Sequence, residues 1–228
     1  MTDLKDRLLD AALIHVPFDG WSDATLRAAA ADLGVTPAEA RAACPRGAMD
    51  LAVAFHKRGD DAMRARLDAT DLSAMRFRDR VAAAVRFRLE AVDDREAVRR
   101  GATLFALPQN AATGAQLIWG TADAIWTALG DTSNDVNWYT KRATLSGVYS
   151  ATVLYWLGDD SPGHQATWDF LDRRIGDVMR IEEAKAQMRK SPVLSKLMAG
   201  PSWFGSKIRP PRKGMRDDLP GSWASPRR

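Results

Sequence analysis

Apolar residues recur every three or four positions along most of the chain, which is the spacing of one buried face of an α-helix. Leu4, Leu8, Leu9 and Ala12 begin this pattern. We find no alternating pattern of the kind that predicts a β-strand, so the sequence predicts an all-α protein. The predicted helices cover about 4–15, 22–34, 36–44, 48–67, 74–92, 94–107, 109–129, 134–157 and 161–188.

The first fifty residues carry the signals of a helix-turn-helix. Ser22 can cap one helix, and Gly34 suits the left-handed turn that follows it. The sequence "TPAE" is a capping box, with Thr36 as the cap and Glu39 reaching back. We therefore expect a helix-turn-helix region at 1–47, followed by a helical ligand-binding domain at 48–189.

This arrangement resembles the N-terminal part of TetR-type regulators, which continue into a larger helical ligand domain. A helix that reads DNA needs basic or amide side chains, and "TPAEARAAC" offers Arg41 alone, beside the acidic Glu39. DNA is therefore not an expected partner. A ligand-responsive TetR-like repressor remains the alternative hypothesis.

Positive charge is concentrated near the C-terminal end. The 228 residues carry a formal net charge of +4, yet nine bases and no acid lie between 184 and 216, so the rest of the chain is mildly acidic. An anionic partner is expected for this end and not for the body.

Residues 190–209 combine this charge with an amphipathic helical pattern, which is typical of a segment lying in an anionic membrane surface. The expected membrane-binding residues are Val193, Leu194, Lys196, Leu197, Met198, Trp203, Phe204, Lys207 and Ile208. The alternative is that the segment docks on the body or on a dimer mate. Residues 210–228 are expected to be a disordered tail.

Several classes of function lack their characteristic residues. His15, His56 and His164 lie far apart, so no metal site is expected, and Cys44 is the single cysteine. We find no nucleophile motif, paired-carboxylate motif or phosphate loop, so we expect neither an enzyme nor a cofactor. No run of about 18 apolar residues and no import leader is apparent.

The stretch 130–142, "GDTSNDVNWYTKR", places Trp138 and Tyr139 at a predicted helix start. With its surroundings at 104–180 it resembles the Coq-nine family of ubiquinone-biosynthesis accessory proteins, whose fold is similar to that of TetR regulators. The resemblance implies a homodimeric, membrane-associated lipid-binding protein. It implies that isoprenoid quinone intermediates bind inside and are presented to a di-iron hydroxylase.

The same resemblance implies which residues dock on the hydroxylase, although either aromatic residue of the stretch could instead belong to the core. The implied docking residues are Ile125, Trp126, Asp135, Trp138, Tyr139 and Arg142. Without a leader, we expect a bacterial member in the cytoplasm, peripherally associated with the inner membrane.

Two apolar stripes, on the helices predicted at 109–129 and 134–157, are the candidate lipid-binding surfaces. Small residues on these helices, including Ala111, Gly114 and Ala115, could leave a cavity between them. Such stripes also suit an ordinary core. The candidate lipid-binding residues are Trp119, Ala122, Trp126, Val148, Tyr149, Thr152, Tyr155 and Trp156.

Overall fold

The computed structural model describes residues 3–190, with side chains described as far as 180. In this part of the chain every regular element is helical. The helices are α1 (Leu4–Asp19), α2 (Asp23–Asp32), α3 (Pro37–Ala43), α4 (Ala48–Asp68), α5 (Phe77–Glu90), α6 (Arg95–Ala106), α7 (Ala111–Ala128), α8 (Val136–Leu157) and α9 (Gln165–Lys190), with a short 3-10 turn at Pro162–His164.

Local capping fixes the helix-turn-helix formed by α2 and α3. The Ser22 side chain accepts a hydrogen bond from the Thr25 backbone N–H, and both halves of the capping box between Thr36 and Glu39 are formed. Gly34 has a φ of 63°, the left-handed conformation that glycine adopts at little cost. The predicted helix-turn-helix is confirmed.

Helix α1 runs four residues past the predicted end. Pro17 lies in its last turn, where a missing backbone N–H costs one hydrogen bond. The buried Val16 keeps this turn packed against the rest of the molecule. Packing therefore carries the helix into the expected break at residues 18–21, where it ends at Asp19.

Two clusters of buried apolar side chains form the interior. The first joins α1, α2 and α3 to the beginning of α4 and includes Leu8, Leu9 and Leu51. The second joins the end of α4 to α5, α7, α8 and α9, with Met63 among its members. Helix α4 thus belongs to both clusters, and it starts at the predicted boundary between 47 and 48.

The all-α, TetR-like fold is confirmed for the described residues. No helix among them is long and apolar enough to cross a membrane. The predicted amphipathic segment beyond residue 190 and the predicted tail at 210–228 lie outside the described residues.

Candidate functional site

An apolar cavity of about 380 Å³ lies between the middle helices of the protein. This volume is near the lower end of the usual range for small-molecule sites, about 300–1,000 Å³. The lining residues are Trp21, Ala52, Phe55, His56, Arg88, Leu89, Val92, Ala97, Val98, Gly101, Ala102, Phe105, Ala106, Ala111, Gly114, Ala115, Leu117, Ile118, Tyr149, Ser150, Val153 and Leu154.

Small residues on α6 and α7 create this space. Gly101 and Ala102 line it from α6, and Gly114 and Ala115 line it from α7. A Cβ atom on Gly114 would lie 2.8 Å from the Cβ of Phe105, so the close approach of the two helices needs glycine here. The small residues on the first half of α7 were the sequence signal for this cavity.

The lining residues differ in their exposure, which distinguishes the inner wall of the cavity from its mouth. Several lining residues are buried and form its inner wall, among them Arg88, Leu89 and Tyr149. Ala115 and Leu154 are exposed and mark its mouth, with the Leu154 side chain 66% exposed. Ala106 on α6 and Ala111 at the start of α7 are also exposed in the lining, so an apolar ligand would enter beside α6, α7 and α8.

A buried polar group, which we call the inner polar cluster, consists of His56, Asp60, Arg88, Thr121 and Tyr149. Arg88 Nε donates to Asp60 Oδ1 at 2.6 Å, and Arg88 Nη2 donates to the His56 carbonyl at 2.9 Å. The Thr121 hydroxyl lies 2.9 Å from Asp60 Oδ1 and 2.9 Å from His56 Nε2. Three of its members, His56, Arg88 and Tyr149, line the cavity.

Burial sets the protonation states of this cluster. It lowers the pKa of His56 to about 4, and the nearby Arg88 charge acts in the same direction, so the imidazole is neutral near pH 7. Burial also raises the pKa of the Tyr149 hydroxyl, which stays protonated. The cluster therefore holds one cation, Arg88, balanced by one anion, Asp60.

Sequence reasoning missed this cluster, although one signal was present. Arg88 follows Val81, Ala84 and Val85 at helical spacing, so it lies on the apolar face of α5. A charged residue on a buried face requires a partner. Asp60, 28 residues earlier in the chain, could not be identified as that partner from local pattern.

Of the predicted lipid-binding residues, Tyr149 alone is in the lining of this cavity. Ala122, Val148, Thr152 and Trp156 are buried away from the lining, because they face the core between neighbouring helices. The other three lie nearer the surface in other packing contacts: Trp119, Trp126 and Tyr155. Seven of the eight predicted residues therefore lie outside this cavity, and their role in lipid binding stays a prediction.

Residues 135–139 form the other predicted site. Asp135 is exposed and caps α8, since its side chain accepts a hydrogen bond from the Asn137 backbone N–H at 2.9 Å. Trp138 and Tyr139 are half-buried and pack edge to face, with ring centroids 4.8 Å apart. Trp119 joins them at 6.0 Å from Trp138, and we call these three rings the aromatic cluster.

Arg142 lies below the aromatic cluster, not on the surface. Its side chain is 3% exposed, and its guanidinium stacks on the ring of Trp138, one helical turn earlier, at 4.0 Å. Arg142 Nε donates to Asp123 at 2.6 Å, and Arg142 Nη1 donates to Asp131 at 3.0 Å. These bonds tie the loop before α8 to α7.

Two of the predicted docking residues, Ile125 and Arg142, do not reach the surface. Ile125 is fully buried and Arg142 almost so, because both face the interior between α7 and α8. Trp126 is half-buried, and its indole donates to the Lys141 carbonyl at 3.1 Å. The part of the predicted patch that reaches the surface is Asp135 with the edges of Trp138 and Tyr139.

Asp131 is the centre of the loop that supports this surface. Burial by itself would raise the pKa of its carboxyl group, but hydrogen bonds from Lys141, Ser133 and Arg142 outweigh burial and lower the pKa to about 2. The Lys141 Nζ–Asp131 Oδ1 distance is 2.8 Å. The bond from Ser133 back to Asp131 was the local signal, since Asp followed two residues later by Ser favours such a turn.

Within residues 3–180, no cluster of three or more histidine, cysteine or carboxylate side chains is placed to hold a metal ion. His56 and His164 each lie near one aspartate, Asp60 and Asp159 respectively.

Comparison with known proteins gives the family resemblance. Residues 111–182 match the model of the COQ9 family. The mitochondrial ubiquinone biosynthesis protein COQ9 of Rattus norvegicus is 30% identical over 196 residues, covering 82% of this chain and 62% of that protein. COQ9 of Drosophila melanogaster is 31% identical over 189 residues, covering 81% of this chain and 58% of that protein. The chain thus spans about three fifths of the curated relatives it matches.

Among solved structures, a TetR transcriptional regulator from Nitrosomonas europaea matches with a TM-score of 0.63. The two are 20% identical, and the match covers 76% of this chain and 96% of the regulator. At this identity the likeness establishes the fold alone. The predicted resemblance to the Coq-nine family, within a TetR-like fold, is confirmed.

Proposed function

From the resemblance of this chain to the COQ9 family, we propose that it acts in ubiquinone biosynthesis as a lipid-binding accessory protein. It binds an isoprenoid quinone intermediate in the cavity between α4, α5, α6, α7 and α8, and presents it to the di-iron hydroxylase of the pathway. The observation that carries this proposal is the apolar cavity, which opens at Leu154 and ends at a polar cluster. The protein is an accessory protein and not itself a catalyst.

The size of the cavity limits how much ligand it encloses. Since a water molecule takes about 30 Å³ in the liquid, the 380 Å³ cavity holds on the order of a dozen non-hydrogen atoms. A ring and the first part of a prenyl tail fill this space. The remainder of a long tail then lies outside the mouth.

Lipid binding is tested by native mass spectrometry and organic extraction of the purified protein, followed by melting with added short-chain ubiquinone. A ligand present at a hundred times its dissociation constant should stabilise the fold by about 2.7 kcal/mol. An empty protein whose melting temperature ignores the quinone would contradict the proposal.

Two matched variants locate the binding site. Ala115 and Ala112 are both exposed on α7, but only Ala115 lines the cavity. Ala115→Trp should fill the mouth and abolish quinone binding, whereas Ala112→Trp should leave it unchanged. Equal effects of both substitutions would place the quinone elsewhere.

Docking on the hydroxylase is supported by the aromatic cluster, because partly exposed Trp and Tyr dominate protein-binding sites. Trp138→Ala with Tyr139→Ala should weaken binding to the hydroxylase by about 2 kcal/mol or more. Phe18→Ala is the control, since Phe18 is an aromatic residue 83% exposed on the distant α1. Because Trp138 also covers Arg142, the folded fraction of each variant is measured by circular dichroism. If the folded double variant binds the hydroxylase normally, the aromatic cluster is not the docking surface.

From the same resemblance we propose that the protein is a homodimer and that it associates with the cytoplasmic face of the inner membrane. The residues proposed to contact anionic lipid, within 190–209, lie outside the described residues. Removing 190–228 should abolish binding to anionic vesicles at low salt. Full-length protein that does not bind these vesicles would overturn the membrane proposal.

A further inference from the structure

The junction between α4 and α5 presents apolar side chains to solvent. Met75 is 37% exposed in the loop, and Phe77, the first residue of α5, is 46% exposed. Arg76 lies between them with its side chain 78% exposed. We call residues 75–78 the α5 tip. Exposed apolar side chains next to basic ones are typical of segments that lie in a membrane surface.

Hydrogen bonds and ring stacking hold the α5 tip in this conformation. Arg80 Nε donates to the Met75 carbonyl at 2.9 Å, and Arg80 Nη2 donates to the Ser73 carbonyl at 3.3 Å. The Phe77 ring stacks on Trp126, with centroids 5.6 Å apart, and Trp126 packs against the core. Met75 and Phe77 are therefore displayed on a fixed surface.

The charge around the α5 tip favours an anionic partner. Residues 70–80 contain three arginines and two aspartates, which leaves a net charge of +1. Arg76 and Arg78 share one carboxylate, since their Nε atoms lie 2.8 Å and 3.4 Å from the oxygens of Asp79. Arginine is attracted to anionic leaflets, and its guanidinium binds phosphate groups.

The direction of α9 shows where the C-terminal part of the chain begins. Helices α8 and α9 are joined by residues 158–164 and pack along each other, so they run in opposite directions. Tyr155 near the end of α8 accordingly stacks on Phe170 near the start of α9, with centroids 4.5 Å apart. Helix α9 therefore ends toward the beginning of α8.

The α5 tip lies at this same end of the molecule. The Trp126 indole donates at 3.1 Å to the carbonyl of Lys141, in the second turn of α8, and Phe77 stacks on the Trp126 ring. The basic, amphipathic segment 190–209 therefore continues from the end of the molecule that carries the α5 tip. An extended anionic surface can contact both.

We propose that the α5 tip is a second membrane-contact site, which inserts Met75 and Phe77 among the headgroups of an anionic membrane while Arg76 and Arg78 contact lipid phosphates. This inference rests on the membrane association proposed above, to which it adds a contact on the helical body. Helix α4, of 21 residues, is about 30 Å long and separates the α5 tip from the helix-turn-helix. The helix-turn-helix therefore points away from the membrane.

Insertion is tested with a fluorescent label on the full-length protein. Met75→Cys is modified with the polarity-sensitive dye NBD, and the one native cysteine, Cys44, is buried. Vesicles of phosphatidylcholine and phosphatidylglycerol should raise the NBD emission and shift it to shorter wavelength. Ile14→Cys, at a site 70% exposed on α1, is the control and should show neither change. Unchanged emission from the label at position 75, in vesicle-bound protein, would overturn the inference.

A pair of variants measures the apolar contribution by sedimentation with the same vesicles. Met75→Ser with Phe77→Ser should weaken binding about tenfold, because the apolar area that enters the lipid is lost. Ile14→Ser with Phe18→Ser is the control, since both residues are more exposed but lie on α1, and it should leave binding unchanged. Circular dichroism measures the folded fraction of each variant, because Phe77 also stacks on Trp126.

A second pair measures the contribution of charge. Arg76→Gln with Arg78→Gln should weaken binding to anionic vesicles about tenfold and leave any binding to pure phosphatidylcholine unchanged. Arg7→Gln with Arg27→Gln removes the same charge from exposed positions on α1 and α2 and should have a smaller effect. Equal losses from both pairs would overturn the contact between the α5 tip and lipid phosphates.

The outcomes distinguish this inference from the proposed function. Normal vesicle binding by Met75→Ser with Phe77→Ser would overturn the inference and leave membrane association to segment 190–209. If that variant also lost binding to the hydroxylase, the α5 tip would be a protein-docking surface instead. If the wild-type protein binds no vesicles, the proposed membrane association itself fails.

Discussion

Two arginines, Arg88 and Arg142, are buried among the described residues, and their surroundings differ in one respect. Arg88 is held by a single carboxylate, Asp60, at the inner end of a cavity. Arg142 is held by two, Asp123 and Asp131, beneath a half-buried tryptophan. The Arg88 pair leaves polar groups facing the cavity. The Arg142 pairs hold the loop before α8 against α7.

The difference shows how buried charge can serve two purposes in one helical protein. A charge pair in the interior costs desolvation that its attraction only partly offsets, so it is weak evidence for stability alone. Around Arg88, the pair keeps a polar surface inside an apolar cavity. Around Arg142, Lys141 and Ser133 add further bonds to Asp131 and fix the loop that carries the aromatic cluster.

The largest effect is expected from Arg88→Met. It leaves Asp60 as a buried carboxylate without its cation, so the free energy of unfolding should fall by about 3–5 kcal/mol. Urea unfolding followed by circular dichroism measures this loss. Adding Asp60→Asn removes the orphaned charge and should restore at least half of the stability. No recovery in the double variant would mean that the ion pair is not the cause.

Arg142→Met should cost less, about 2–3 kcal/mol, because Asp131 keeps Lys141 and the Asp123 side chain is 40% exposed. Arg76→Met is the control. Its side chain is 78% exposed and paired with Asp79 on the surface, so its effect should stay within about 0.5 kcal/mol. If Arg142→Met lowered the free energy of unfolding as much as Arg88→Met, then Lys141 and the exposure of Asp123 would not reduce the cost of removing the arginine.

The pH dependence of stability tests the network around Arg142 and Asp131. The pKa of Asp131 is about 2 in the folded protein, below its ordinary value of 3.8. Its contribution, on the order of 2 kcal/mol, is therefore complete above about pH 4 and is lost as the pH falls toward 2. Asp131→Asn should remove this part of the acid dependence, measured by urea unfolding at successive pH values. Asp172→Asn, on the exposed face of α9, is the control and should change the free energy of unfolding by no more than about 0.5 kcal/mol.

The smallest effects come from two helical glycines. A Cβ atom on Gly59 would lie 2.4 Å from Arg88 Nη1, and Arg88 is fixed by Asp60. Gly59→Ala should therefore lower the free energy of unfolding by about 1 kcal/mol net. Gly147, exposed on α8, has no atom within 4 Å of such a Cβ. Gly147→Ala should raise stability by about 0.5–1 kcal/mol. Increased stability in both variants would show that the Arg88 side chain can move away from the added methyl group.

The sequence by itself determined the fold class, the helix-turn-helix and most helix ends, because these depend on contacts between residues a few positions apart. Thr36 and Glu39 form their capping box within one turn, and Asp135 caps α8 two residues away. The small residues on α7 also predicted that space would remain between helices.

Tertiary structure alone decided where that space lies and which polar groups reach it. His56 meets Thr121 across 65 residues of chain, and Arg88 meets Asp60 across 28. Trp138 and Arg142 are one helical turn apart on α8, but only the folded chain brings Asp123 and Asp131 to Arg142 and buries it beneath the Trp138 ring. Helical periodicity fixes which residues share a face, whereas the packing of the helices decides whether that face meets solvent, core or cavity.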